Sequence, residues 1–413
     1  MSEERDEIRN QIKERVLRDM DMSVEIVDEE VYKAIDRHLL VPDEEQKFSL
    51  REMLDIRQDV YNSIRRLDVL SSLMDDEEVT EIMINGKDNI FVEKNGRIYK
   101  TDKAFESEEK LLSVIQHMVS GANRMVNESS PIADLVLDDG SRVNVVLKGI
   151  SCDGHIVTIR KFPKRIMDMN CLIDLGAIDE SVAEYLKLLV EAGYNIFISG
   201  GTGAGKTTFL NALTEFIPQG ERVITIEDSA ELRVIGVDNL VRLEARNVNV
   251  EGKNEISIRN LIKSSLRMRP DRIIVGEVRD AAAIDMLQAM NTGHDGSLCT
   301  GHANSAHEML LRLESMVLEG ADLPLKAVRQ QITSALDIVI HLGRLRDNSR
   351  RVLEIREVLE MKDDEIITKE LFRFNETGEE DGKVLGYLEK VRDLVNVSKL
   401  KSAGLLNVYK ELG

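Results

Sequence analysis

The chain has no tryptophan, and its aromatic residues together make up only 4% of 413 positions. Stacking platforms for single-stranded nucleic acid depend on such rings, so that class is disfavoured. Positive charge is also scarce, with 55 Lys and Arg against 75 Asp and Glu and a net charge of −20. A surface of that sign repels phosphate backbones and anionic lipid heads, which argues against nonspecific DNA binding and membrane adsorption. Only three cysteines occur, Cys152, Cys171 and Cys299. They are too few and too scattered for a disulfide framework or a cysteine-rich zinc site, and they suit a reducing compartment. No apolar run approaches the roughly 18 residues of a membrane span. The opening MSEERDEIRN is acidic and polar, unlike a secretory signal. The expectation is a cytoplasmic protein of two to three domains, at roughly 150 residues per domain.

Apolar residues at threes and fours predict helices. Ile8, Ile12 and Val16 recur at fours, and residues 24–40 and 50–73 carry the same pattern, with a break at Pro42-Asp43. Residues 1–75 therefore read as a solvated helical bundle. From Val79 the period changes. Residues 80–86 read as strand then turn, and 90–99 as a hairpin about Asn95-Gly96. A helix over 108–119 follows, and then two strands that flank Asp139-Gly140 and run to Arg160. This is an α+β domain over 76–160. Residues 161–170, with Pro163 inside, read as a connector. Beyond Leu172, helices alternate with short apolar strands at 195–198, 223–226, 272–275 and 297–300. Such alternation implies a sheet covered by helices on both faces, an α/β domain over 171–360. Residues 361–413 are more polar and read as its C-terminal extension, a loop over 375–382 and then a helical tail.

The strongest motif is Gly200-Gly201-Thr202-Gly203-Ala204-Gly205-Lys206-Thr207, which fits G-x-x-x-x-G-K-[ST]. It follows an apolar strand and opens a helix that stops before Pro218. Backbone N–H groups of such a loop wrap phosphates, and the helix N-terminus adds partial positive charge. Lys206 reaches the β and γ phosphates, the Thr207 hydroxyl binds Mg²⁺, and Thr208 completes the contact set. The implied ligands are ATP and Mg²⁺.

Three later segments bring acids and a histidine to strand ends. Ile226-Glu227-Asp228-Ser229-Ala230-Glu231-Leu232 carries three carboxylates, Val275-Gly276-Glu277-Val278-Arg279-Asp280 another, and Cys299-Thr300-Gly301-His302-Ala303-Asn304 a histidine. In open α/β sheets ligands sit at the carboxyl ends of the strands, so acids arriving there serve Mg²⁺ and the attacking water.

These segments resemble the secretion and traffic ATPase superfamily, and within it the CpaF/TadA-type ATPases of tight-adherence (Tad, Flp) pili. The phosphate loop resembles that family's Walker A, residues 226–232 its Asp box, 275–279 its atypical Walker B with Gly-Glu in place of a terminal Asp, and 300–304 its His box. The likeness spans nearly everything after residue 70. It implies a RecA-like P-loop ATPase domain, a smaller PAS-like α+β domain before it, and a homo-hexamer working through inner-membrane pilus platform proteins. Asp280-Ala281 stands where these ATPases commonly carry small residues. No tetracysteine zinc module is present, unlike many type II secretion ATPases. The resemblance also implies that Arg142 and Arg160, in the smaller domain, reach across a cleft to the nucleotide, with Arg124 a weaker candidate.

The chemistry expected is in-line attack of water on the γ-phosphoryl group. Glu277 orients or deprotonates the water, Thr207 holds Mg²⁺ with Glu227 or Asp228 bonding its water shell, and His302 senses the γ-phosphate. Two other readings compete: an ATPase of conjugation or effector secretion, and a nucleotide-gated scaffold without turnover.

Overall fold

The computed structural model describes residues 11–412 apart from 17, 20–27, 40–48, 66, 95, 123, 163–166 and 247–254. Ile8, the expected break at Pro42-Asp43, the turn residue Asn95 and residues 163–166 of the connector lie outside the described residues. The chain divides into two compact units, residues 1–164 and 165–413.

The first unit opens with helices. Val31, Ala34 and Ile35 of Asp28–Leu39 pack with Ile56, Val60 and Tyr61 of Leu50–Arg65, and Ile12 and Val16 join the same cluster. These are the threes and fours of the sequence pattern brought to one face. The second helix does not continue to Leu73. Asp68 takes a left-handed φ of 54°, and a separate short helix, Leu70–Asp75, follows.

Six strands then form an antiparallel sheet: β1 (Val79–Asn85), β2 (Ile90–Lys94), β3 (Arg97–Lys100), β4 (Ile132–Val136), β5 (Arg142–Val146) and β6 (Ile156–Arg160), in the order β3-β2-β1-β6-β5-β4. The segment after the helix holds three strands where two were expected, because the chain turns back a second time between β5 and β6. Inward residues such as Ile82, Ile84, Val143, Val145, Val157 and Ile159 pack on Leu111, Ile115 and Met118 of the helix Glu108–Gly121. Ser107 caps that helix by accepting from Lys110 N. The strand period of two leaves Glu81, Asn144, Thr158, Arg142 and Arg160 on the other face.

The second unit is built on nine strands: β7 (Ile196–Gly200), β8 (Arg222–Glu227), β9 (Asn239–Glu244), β10 (Arg272–Val275), β11 (Leu298–His302), β12 (Ile338–Arg344), β13 (Arg350–Lys362), β14 (Glu365–Glu380) and β15 (Lys383–Lys390). Their order is β15-β14-β13-β12-β7-β11-β10-β8-β9. Strands β12 to β9 of that order run parallel, and β13, β14 and β15 are added antiparallel. Ile196, Ile198, Val223 and Ile274 face the helices Glu180–Glu191 and Lys206–Thr214. Phe197, Ile224, Ile226 and Val275 face the helices Ala282–Met290, Ala306–Gly320 and Leu325–Ala335. The central strands are thus buried on both faces, which is why they read as unbroken apolar runs. The α/β class is as expected.

The expected loop over 375–382 is corrected. Residues through Glu380 belong to β14 and pair with β15, with a register shift between Glu376 and Gly378. The turn is Asp381-Gly382, both at left-handed φ, a hairpin signal of the Asp-Gly kind. The polar run is a strand because β15 satisfies its backbone groups. The helical tail does follow, as Ser398–Ser402 and Leu406–Leu412. No helix among the described residues is long and apolar enough to cross a membrane.

Candidate active site

The parallel strands deliver the predicted residues to one edge of the second unit. Strand β7 ends at Gly200, β8 at Glu227, β10 at Val275 and β11 at His302. Gly200 and His302 are register partners on neighbouring strands, as are Ile226 and Val275. The loop after β7 carries Gly203 and Gly205 at φ of 71° and 90°, conformations that cost L-residues but not glycine. Gly205 is the N-cap of the helix Lys206–Thr214. Thr207 and Thr208 sit half-buried in its first turn, and Gly201 and Thr202 are exposed.

Lys206 is buried. Its Nζ donates to the carbonyls of Gly200 and Gly201, each at 3.0 Å, and lies 3.2 Å from His302 Nδ1. Burial and the charge of Lys206 hold the His302 imidazole below its ordinary pKa, against the pull of Glu277. A neutral ring that accepts from Lys206 at Nδ1 carries its proton on Nε2. Nε2 is 3.1 Å from Glu277 Oε1. Oε1 is nonetheless buried without a hydrogen-bond partner among the described residues. That oxygen is an acceptor in need of a donor.

The other oxygen of Glu277 accepts from Arg279 Nη2 at 2.8 Å, and Arg279 Nη1 lies 3.4 Å from Asp228 Oδ2. Burial pushes the Glu277 carboxyl up, but Arg279, His302 and Lys206 outweigh it and hold the group below its ordinary value. Glu277 is therefore ionised at neutral pH.

Glu227 sits differently. It is buried, and its Oε2 accepts from the N–H groups of Glu231 and Leu232, each at 2.9 Å. Burial pushes its carboxyl up to about 7, against those hydrogen bonds. The side chain folds the loop after β8 and crowds Gly276, where an added Cβ would come within 2.9 Å of Glu227 Cγ. That contact is a physical reason for glycine before Glu277. Asp228 is exposed on the same loop.

Among the described residues no group of three or more His, Cys, Asp or Glu could hold a metal. Mg²⁺ of the nucleotide kind takes most of its ligands from phosphates and water, so the residues that would hold it here are Thr207 through its hydroxyl and a nearby carboxylate.

The structure thus gathers the phosphate loop, Lys206, Glu227, Asp228, Glu277 and His302. Arg142 and Arg160 belong to the other unit, directly opposite each other on β5 and β6.

A family model described as Type II/IV secretion system protein matches residues 65–397. The chain belongs to that family. Among its secretion-family relatives is a putative conjugal transfer protein of Mycobacterium tuberculosis strain H37Rv, 33% identical over 293 residues that cover 70% of this chain and 83% of the relative. Another is the type IV secretion system protein PtlH of Bordetella pertussis, 31% identical over 316 residues, or 70% of this chain and 93% of the relative. The crystal structure of the pilus retraction motor PilT with bound ADP is similar in fold, with TM-score 0.50 and 19% identity over 84% of this chain and 88% of that one.

Sequence reasoning missed two arginines beside these residues. Arg279 was read only as part of the motif around Glu277, yet it ties that residue to Asp228. Arg350 was not singled out at all, and its Nε donates to the Gly203 carbonyl at 2.8 Å. The first had a signal in its spacing from Glu277. The second had none, since 147 residues separate it from the loop.

Proposed function

We propose that this chain is an ATP-hydrolysing motor that drives assembly of a tight-adherence pilus at the cytoplasmic face of an inner membrane. The observation that carries the ATPase reading is the run Lys206–His302–Glu277. It sets a phosphate-binding cation, a neutral imidazole and an ionised carboxylate with a buried open oxygen in consecutive contact. Lys206 holds the β and γ phosphates, Glu277 accepts from and orients the water, and His302 touches both, so loss of the γ-phosphate is felt at Glu277. Thr207, with Asp228 or Glu227, would hold Mg²⁺, which neutralises charge developing on the phosphates. Arg142 and Arg160 add positive charge to the transferring phosphoryl group, from the same copy or from a neighbour in a hexameric ring. The motor acts on the membrane through platform proteins.

A second reading, a conjugation or effector-secretion ATPase, is favoured by the relatives named for conjugal transfer and type IV secretion. It shares every residue of the site. The acidic balance of the chain counts against direct pumping of DNA, but not against export of protein.

Steady-state phosphate release from ATP tests the enzyme, with Lys206→Ala as the control. The variant should lose nucleotide binding and release. Equal affinity in the two proteins would remove Lys206 from the site, and wild-type protein that binds without turnover would leave only a scaffold. Deleting the gene and scoring surface pili against conjugation frequency then separates the two motors.

A further inference from the structure

Arg350 opens β13 beside the strand that carries Leu342 and Gly343, and its side chain reaches the phosphate loop. Its Nε donates to the Gly203 carbonyl at 2.8 Å. Its Cδ packs under Gly205, 3.4 Å from where a Cβ there would stand. Among the described residues its guanidinium forms no ion pair with a carboxylate, so charge pairing does not account for its position.

The contact matters because of what the loop must do. Phosphate binding requires several N–H groups to converge on one point. A glycine-rich segment loses more conformational freedom on ordering than any other, so it resists being held that way. A trans peptide is planar, with its C=O and N–H pointing opposite ways. The Gly203 carbonyl and the Ala204 N–H share one such unit. With the carbonyl turned out to Arg350, the Ala204 N–H turns in, where it meets the Gly201 carbonyl at 3.3 Å. That is the same carbonyl that takes Lys206 Nζ. The Arg350 contact therefore fixes a peptide whose N–H closes on the carbonyl that also takes Lys206 Nζ, and so ties the turn of the loop to the lysine.

We propose that Arg350 is a positioning residue of the nucleotide site, a strut that presets the phosphate loop by holding the Gly203 peptide. The inference rests on the nucleotide reading of that loop. Its consequence differs from that of an arginine touching the γ-phosphate. A preset loop serves phosphates that ADP and ATP share, so losing the strut weakens both nucleotides by one factor and leaves the chemical step alone.

The test compares full-length wild-type protein with Arg350→Ala and Arg350→Lys. Titration with ADP and with a nonhydrolysable ATP analogue gives affinities, phosphate release gives kcat, and hydrogen exchange of residues 200–207 without nucleotide reports loop order. In Arg350→Ala both dissociation constants should rise together, about five- to tenfold for one lost charge-assisted hydrogen bond. The kcat should stay within about twofold and loop exchange should quicken. Arg350→Lys keeps a donor for the carbonyl and should recover most of the affinity. Unchanged ADP affinity in Arg350→Ala overturns the proposal, as does a loss confined to the ATP analogue, which would place Arg350 on the γ-phosphate. Wild-type protein that binds neither nucleotide brings down the underlying reading, and the exchange rates then decide alone whether Arg350 orders the loop.

Discussion

Arg142 and Arg160 are register partners on the antiparallel strands β5 and β6. Arg160 is also the partner of Glu81 on β1, and Glu81 of Glu93 on β2. One row thus crosses four strands as two acids and then two arginines. Like charges directly opposite destabilise a sheet. Burial and the neighbouring Glu93 accordingly raise the Glu81 carboxyl above its ordinary value, while Arg160 pulls it back. Arg142 and Arg160 thus set two like charges on directly opposed positions, which strand pairing by itself does not favour.

If the pair serves the γ-phosphate, Arg160→Ala should slow hydrolysis at least about a hundredfold, a modest share of what arginine fingers supply. ADP affinity should stay within about twofold, because ADP lacks the group contacted. The midpoint of thermal unfolding should hardly move, since Arg160 is exposed and the interactions of exposed charges contribute about 0–1 kcal/mol. Wild-type turnover in the variant would take Arg160 out of the mechanism and leave Arg142 and Arg124 to be tested.

Glu277→Gln keeps the shape and can still meet Arg279, but it cannot take a proton. Nucleotide affinity should hold while kcat falls by about 10²–10⁴, the usual range for a lost general base. Single-turnover measurements separate this from slow product release. Normal turnover would shift the role to Glu227.

Glu227 should leave a mark on stability instead. Its carboxyl titrates at about 7 when folded against an ordinary 4.5. Below the ordinary value both states carry the proton and burial costs nothing. Between the two values the folded protein holds a proton that the unfolded chain has released, so stability falls as pH rises and the loss is complete above the folded value. Glu227→Gln is neutral at every pH, and its amide oxygen can still accept from Glu231 and Leu232. It should therefore match wild type near pH 4.5 and exceed it near pH 8, by up to about 3 kcal/mol. Chemical unfolding at the two pH values measures this, and a variant-to-wild-type difference that does not change with pH would refute it.

The phosphate loop was legible because its constraints are local. Glycines that must take left-handed angles, a lysine one residue on and a helix start all fall within eight consecutive residues. The strands around it were legible for a related reason: burial on both faces demands unbroken apolar runs, and these mark where Glu227, Glu277 and His302 must emerge. Those segments also carried the family likeness. Other features depended on chain brought in from far away. Lys206 and His302 stand 96 positions apart in sequence, and they touch because β7 and β11 are sheet neighbours. The polar residues 375–380 form a strand because β15 supplies their hydrogen bonds, which no local propensity predicts. Arg279 fell within a recognised motif, but its link to Asp228 exists only once β8 and β10 lie side by side. Sequence alone determined where the loop glycines, Lys206, Glu227, Glu277 and His302 fall relative to strand ends, because turn geometry and burial act on neighbours along the chain. Which of them meet, and that Arg350 holds the loop, was decided by the order of strands in the sheet, because strand pairing draws its energy from partners that sequence distance does not reveal.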